Sequence, residues 1–96
     1  MVESKDAYLE KLKAKMAEWN AEIDKLKAKA QQAKAEGKIE LEKRVGDLET
    51  RRQELETKMQ QLREASGSAW ENLKAGAQQA WDSLDQAVQS AKEKFK

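Results

Sequence analysis

Ninety-six residues suffice for one domain, and 19 lysines and arginines against 18 aspartates and glutamates leave a net charge of +1. The chain has no histidine, cysteine or proline, so it lacks an imidazole base, a thiolate and a soft metal ligand. That argues against an enzyme, a bound cofactor, a zinc site and a disulfide scaffold. The charges also balance segment by segment, without the basic excess that phosphate neutralisation requires, so no nucleic acid is expected as a partner.

Charged residues make up 39% of the chain, and the four glycines are scattered singly rather than gathered in a phosphate loop. Alanine, glutamate, lysine, leucine and glutamine dominate, and all of them favour helix. This usage, with apolar residues three and four apart, predicts an all-α fold of coiled-coil-type helices in a single domain over 1–96. The predicted helical segments are about 4–65, with a possible break at 37, and 68–95. Residues 1–12 hold no apolar run, so neither a signal peptide nor a membrane-spanning helix is expected there, and the cytoplasm is the default location.

The first seam begins at Leu9 and continues through Leu12, Met16, Trp19, Ile23, Leu26, Ala30 and Ala33. The steps alternate three and four, giving heptads with a at 9, 16, 23 and 30 and d at 12, 19, 26 and 33. Lysine-rich bands around residues 11–15 and 25–29 flank a band with Glu18 and Glu22, a pattern of solvated faces laced with ion pairs.

A second seam runs through Leu41, Val45, Leu48, Leu55, Met59 and Leu62, with Arg52 at an a position. A lone charge in such a seam sets register while its stem covers apolar neighbours. The two seams differ in phase by one residue around Gly37. One reading lets the helix run on and absorb the shift by local unwinding. The other turns the chain into a hairpin that opposes Ile23 to Leu55 and Met16 to Leu62 and brings Lys27 near Glu49. A helix restarting at Lys38-Ile39-Glu40 has no Ser, Thr, Asp or Asn cap, which favours the continuous helix.

Ala65-Ser66-Gly67-Ser68 marks a boundary. Gly67 suits a left-handed backbone, and Ser68 with Glu71 forms a capping-box pattern for the next helix. From there the sequence repeats at eleven residues: Trp70-Glu71-Asn72-Leu73 is followed by Trp81-Asp82-Ser83-Leu84. Because eleven residues nearly complete three helical turns, each residue type keeps its face. Trp70, Leu73, Trp81, Leu84, Val88 and Phe95 make a bulky flank, with Ala69, Gly76, Ala80, Ala87 and Ala91 beside it. Gln78 lies on the polar side.

The bulky flank predicts a packing or interaction face in a groove between two other helices, supplied by a three-helix hairpin or a dimer. An amphipathic eleven-residue repeat also suits a lipid surface, but the polar face lacks the lysine or arginine excess that draws a helix to anionic membranes, which argues against a membrane-surface partner. Only fifteen Leu, Ile, Val and Phe residues are available for a core, so association into a homo-oligomer, with a dimer favoured, is expected to help hold an extended chain together.

Glu18-Trp19-Asn20-Ala21-Glu22-Ile23-Asp24-Lys25-Leu26, then Lys38-Ile39-Glu40, Ala65-Ser66-Gly67-Ser68-Ala69-Trp70-Glu71-Asn72-Leu73-Lys74-Ala75-Gly76 and Ala80-Trp81-Asp82-Ser83-Leu84 together resemble the short bacterial coiled-coil proteins known as stress-response proteins, first catalogued in cyanobacteria. The resemblance covers most of the chain. It implies a bacterial cytoplasmic protein linked to stress, and it brings no reaction, cofactor or binding residue with it. The leading expectation is a self-associating structural or interaction protein of coiled-coil type. The alternatives are a lipid-surface-binding amphipathic helix and a hydrophilic protectant that orders on drying or crowding.

Overall fold

A computed structural model describes residues 4–94. They form three helices, α1 (Lys5–Gln32), α2 (Ala35–Glu64) and α3 (Ser68–Lys94), and the fold is all-α. The chain runs up, down and up, so α1 and α3 point the same way and α2 lies antiparallel to both. The bundle is one helix long, 51 Å by 17 Å by 17 Å.

Helix α1 starts on a cap outside the predicted seam. The Ser4 hydroxyl oxygen accepts the Ala7 N–H at 3.1 Å, satisfying one of the donors that a helix start leaves open. Tyr8, Leu12, Met16, Trp19, Ile23, Leu26 and Ala30 are buried along α1. Tyr8 therefore takes the place at the head of the seam that the heptad reading assigns to Leu9, which is half-buried. Lys15 and Glu18 pair at 3.1 Å on the outer face.

The break after α1 falls at Ala33 and Lys34, not at Gly37, and the helix is not continuous. Both connecting residues are extended (ψ 155° and 158°), and Gly37 sits within the first turns of α2. The cap missing from the sequence is missing here too: Lys34 makes no side-chain bond, and the Lys38 N–H donates to its carbonyl at 2.8 Å. An absent cap costs about 0.5–2 kcal/mol. Closing two leucine seams on each other, at about 1.5–3 kcal/mol for each fully buried side chain, outweighs that several times over.

In α2, Val45, Leu48, Leu55 and Leu62 are buried, while Leu41 and Met59 pack half-buried against the core. Ile39 is the exception: it is 64% exposed. Lys27 reaches Glu49 at 3.7 Å across the α1–α2 hairpin. Arg52 stays half-exposed at the seam's edge, where it donates to Asn20 Oδ1 of α1 at 3.2 Å and pairs with Glu56 at 3.5 Å. A side chain tied to a polar partner on the facing helix resists sliding of one helix past the other.

The second turn is built differently. Ala65 is extended and buried, and Gly67 has φ 60°, in the left-handed region that disfavours a Cβ. Helix α3 begins at Ser68, one residue earlier than the capping-box pattern requires, and the Trp70 N–H donates to the Gly67 carbonyl at 3.3 Å. Ser68 is thus already helical. Among the described residues, the reciprocal bonds between Ser68 and Glu71 do not form. The end of α2 is satisfied instead from a distance: Lys5 Nζ donates to the carbonyls of Arg63 (2.9 Å) and Ala65 (2.6 Å).

Helix α3 lies in the groove of the α1–α2 hairpin. Ala77, Leu84, Val88 and Ala91 are buried, and Leu84 and Ala77 are fully covered. Trp70, Leu73, Ala80, Trp81 and Ala87 are half-buried against them. Ala69, assigned to the small flank, is exposed. Phe95 lies outside the described residues.

Candidate functional site

The most distinctive surface is the edge where α1 meets α3. Aliphatic side chains fill the centre of the bundle, but this edge is closed by four aromatic rings in a row. Trp70 packs edge-on against Tyr8, with centroids 5.8 Å apart and planes at 77°. Tyr8 lies 5.9 Å from Trp81, and Trp81 stands perpendicular to Trp19 at 5.7 Å. Edge-to-face pairs of this kind set the positive rim of one ring against the negative face of another.

The row follows from spacing. Trp70 and Trp81 are eleven residues apart on α3, and so are Tyr8 and Trp19 on α1. On two helices running the same way, equal spacing makes two rungs, Tyr8–Trp70 and Trp19–Trp81. The matching interval in α1 was the signal that could have placed Tyr8, which the heptad frame passes over in favour of Leu9.

The two helices contribute unequally. Tyr8 and Trp19 are 3% and 2% exposed, whereas Trp70 and Trp81 keep one side open to water. Lysines overlie the rings: Lys74 Nζ is 5.3 Å from the Tyr8 centroid and 5.9 Å from that of Trp70, and Lys15 Nζ is 5.8 Å from Trp19. An ammonium at this distance over an aromatic face contributes about 0.5–1 kcal/mol at exposed sites.

A polar relay ties the same edge. The Tyr8 hydroxyl donates to Gln78 Oε1 at 3.0 Å, and Gln78 Nε2 donates to Asp82 Oδ1 at 3.1 Å. Gln78, placed on the polar side by the sequence pattern, therefore bridges two helices. Farther along, Lys92 meets Glu22 at 4.0 Å across the same edge. Charges of both signs border the shallow groove beside Trp81: Lys11, Lys15 and Glu18.

The other predicted positions lie elsewhere. Leu12, Met16, Ile23, Leu26, Leu48, Leu55, Leu62, Leu84 and Val88 belong to the interior and present nothing to a partner. Arg52 sits on the α1–α2 side with Asn20. On the α2–α3 side, Arg51 bonds Asp47 at 2.8 Å and also donates to Ser83. Among the described residues, no three His, Cys, Asp or Glu side chains converge as a metal-binding group. No helix among them is long and apolar enough to cross a membrane. Comparison with protein-family models, with curated proteins and with solved structures finds no match.

Proposed function

We propose that the protein is a non-enzymatic structural or interaction protein that self-associates, as a dimer in the simplest case, and serves in the bacterial cytoplasm under stress. The aromatic edge carries this reading. Trp70 and Trp81 hold α3 to α1 through rings that remain half-exposed, with lysine and glutamate around them. Aromatic residues ringed by polar ones characterise surfaces where proteins meet, and a border of mixed sign is compatible with a second copy of itself. Two-fold dimers, in which the same patch serves both subunits, are the commonest form of self-association. The stress context and the cytoplasm come from the sequence resemblance.

The bundle already encloses its leucine seams, so association adds to a folded chain rather than creating one. Light scattering across a concentration series should show the mass rising from one chain toward two, with a melting temperature that rises in parallel. A mass of one chain and an unchanging melting temperature over the whole series would remove self-association from the proposal.

A further inference from the structure

We infer that residues 65–67 form a latched hinge, and that the chain dimerises by exchanging α3, each α1–α2 hairpin receiving the third helix of a second copy. The inference rests on the self-association proposed above and names its form. The aromatic edge then becomes the interface, with Tyr8 and Trp19 of one chain against Trp70 and Trp81 of the other.

Three observations carry it. The first is the seam itself. After Leu62 the next positions on the same face of a straight helix are Ser66 and Trp70, and then Leu73, Ala77, Ala80 and Leu84 resume the alternation of three and four. From Leu62 to Leu73 is eleven residues, an interval that a straight helix absorbs without losing its face. No proline intervenes. The seam spacing therefore permits α2 and α3 to run on as one helix, against the local turn signal of Ser66-Gly67-Ser68.

The second is how little holds the turn. Of the three hinge residues Ala65 alone is buried, and Ser66 and Gly67 are exposed. The turn depends on the left-handed Gly67 (φ 60°) and on Lys5, whose ammonium occupies the carbonyls of Arg63 and Ala65. In a continuous helix those two carbonyls accept from the N–H groups of residues 67 and 69 instead. Lys5 is thus bound to the broken form alone.

The third is symmetry. Arg51 bonds Ser83, and Lys58 Nζ approaches the Cβ position of Gly76 to 3.9 Å. Both pairs are centred on residue 67. Two straightened chains related by a two-fold axis at that residue place Arg51 beside Ser83 of the second copy and Lys58 beside its Gly76. These two contacts within one chain are therefore reproduced between two, while opening the hinge gives up the turn and the Lys5 bonds that hold it.

The test compares the full-length parent with Gly67→Ala, Lys5→Gln and a chain with four extra Gly and Ser residues inserted after Ser66. Alanine at 67 is disfavoured in the left-handed turn and favoured over glycine in a helix, about a thirtyfold combined preference for the open form. A dimer has two hinges, so Gly67→Ala should raise the dimerisation constant on the order of a thousandfold. Lys5→Gln should raise it by a smaller factor, and the lengthened turn should lower it. Because the chain has no cysteine, single Lys58→Cys and Gly76→Cys chains, each also carrying Gly67→Ala, can be mixed and treated with a short bifunctional thiol reagent. A covalent dimer joining the two kinds of chain is expected.

A Gly67→Ala dimer that gives no such product sinks the exchange and leaves self-association standing. A Gly67→Ala chain that is merely less stable and still monomeric, with Lys5→Gln monomeric too, also overturns the exchange. A parent that stays monomeric beside a crosslinked Gly67→Ala dimer supports the hinge and rejects self-association of the parent.

Discussion

The two edges of α1 are held by different chemistry. Toward α2 it closes on leucine, isoleucine and valine in heptad order, and Leu12, Leu26, Leu48 and Leu55 have 2% exposure or less. Toward α3 it closes on rings, and the α3 side of that row stays wet. An aliphatic seam gains by excluding water from every side, so its strength scales with buried area and its geometry is forgiving. An aromatic edge gains part of its strength from ring orientation and from the polar groups around it. The first arrangement makes a permanent interior. The second leaves ring surface within reach of solvent, and the proposed self-association is therefore tested at the edge rather than in the seam.

The largest expected effect is in the seam. Leu55→Ala should destabilise the bundle by about 2–5 kcal/mol, read by urea denaturation, because the site is closed on all sides and cannot collapse freely. Trp81→Ala should cost less, about 2–3 kcal/mol, since part of its ring is already hydrated and leaves less of a cavity. If Trp81→Ala proved the more damaging, the distinction between a dry seam and a wet edge would fail. A double-mutant cycle between Trp19→Leu and Trp81→Leu should return a coupling of about 0.5–1.5 kcal/mol for the perpendicular pair.

The polar relay gives a finer test. Tyr8→Phe and Gln78→Ala should each cost about 0.5–1.5 kcal/mol, with the double variant costing little more than Gln78→Ala alone, because both remove the Tyr8–Gln78 bond and only Gln78→Ala also removes the exposed bond to Asp82. Purely additive losses would show that the two side chains act separately. Smallest of all is the contrast between the serines: Ser4→Ala should lose about 0.5–2 kcal/mol through its cap, while Ser68→Ala should melt within experimental error of the parent. Equal losses at the two positions would restore the capping box at the start of α3.

The helical character of nearly the whole chain and most of its inward faces were legible in the sequence; the division of 4–65 into α1 and α2 was not, since the sequence favours one continuous helix there. Seam residues such as Leu12, Ile23, Leu48, Leu55 and Leu84 were readable because helical periodicity is a local property: each residue's neighbours three and four positions away decide which face it shares. The turn at Ser66-Gly67 was legible from its local Ala-Ser-Gly-Ser context, although a glycine alone does not mark a turn: Gly37, Gly46 and Gly76 all lie inside helices. Three features depended on contacts between distant parts of the chain. The turn at Ala33 and Lys34 carries no cap and no glycine, and it exists because closing the two seams outweighs what the turn lacks. The end of α2 is completed by Lys5, some sixty residues away in sequence, which no window of local sequence contains. Tyr8 and Gln78 became partners only when α1 and α3 were laid side by side in one register. Local propensity can say that a segment is helical and which way it faces; which helices meet, and at what height, is set by the sum of their packing.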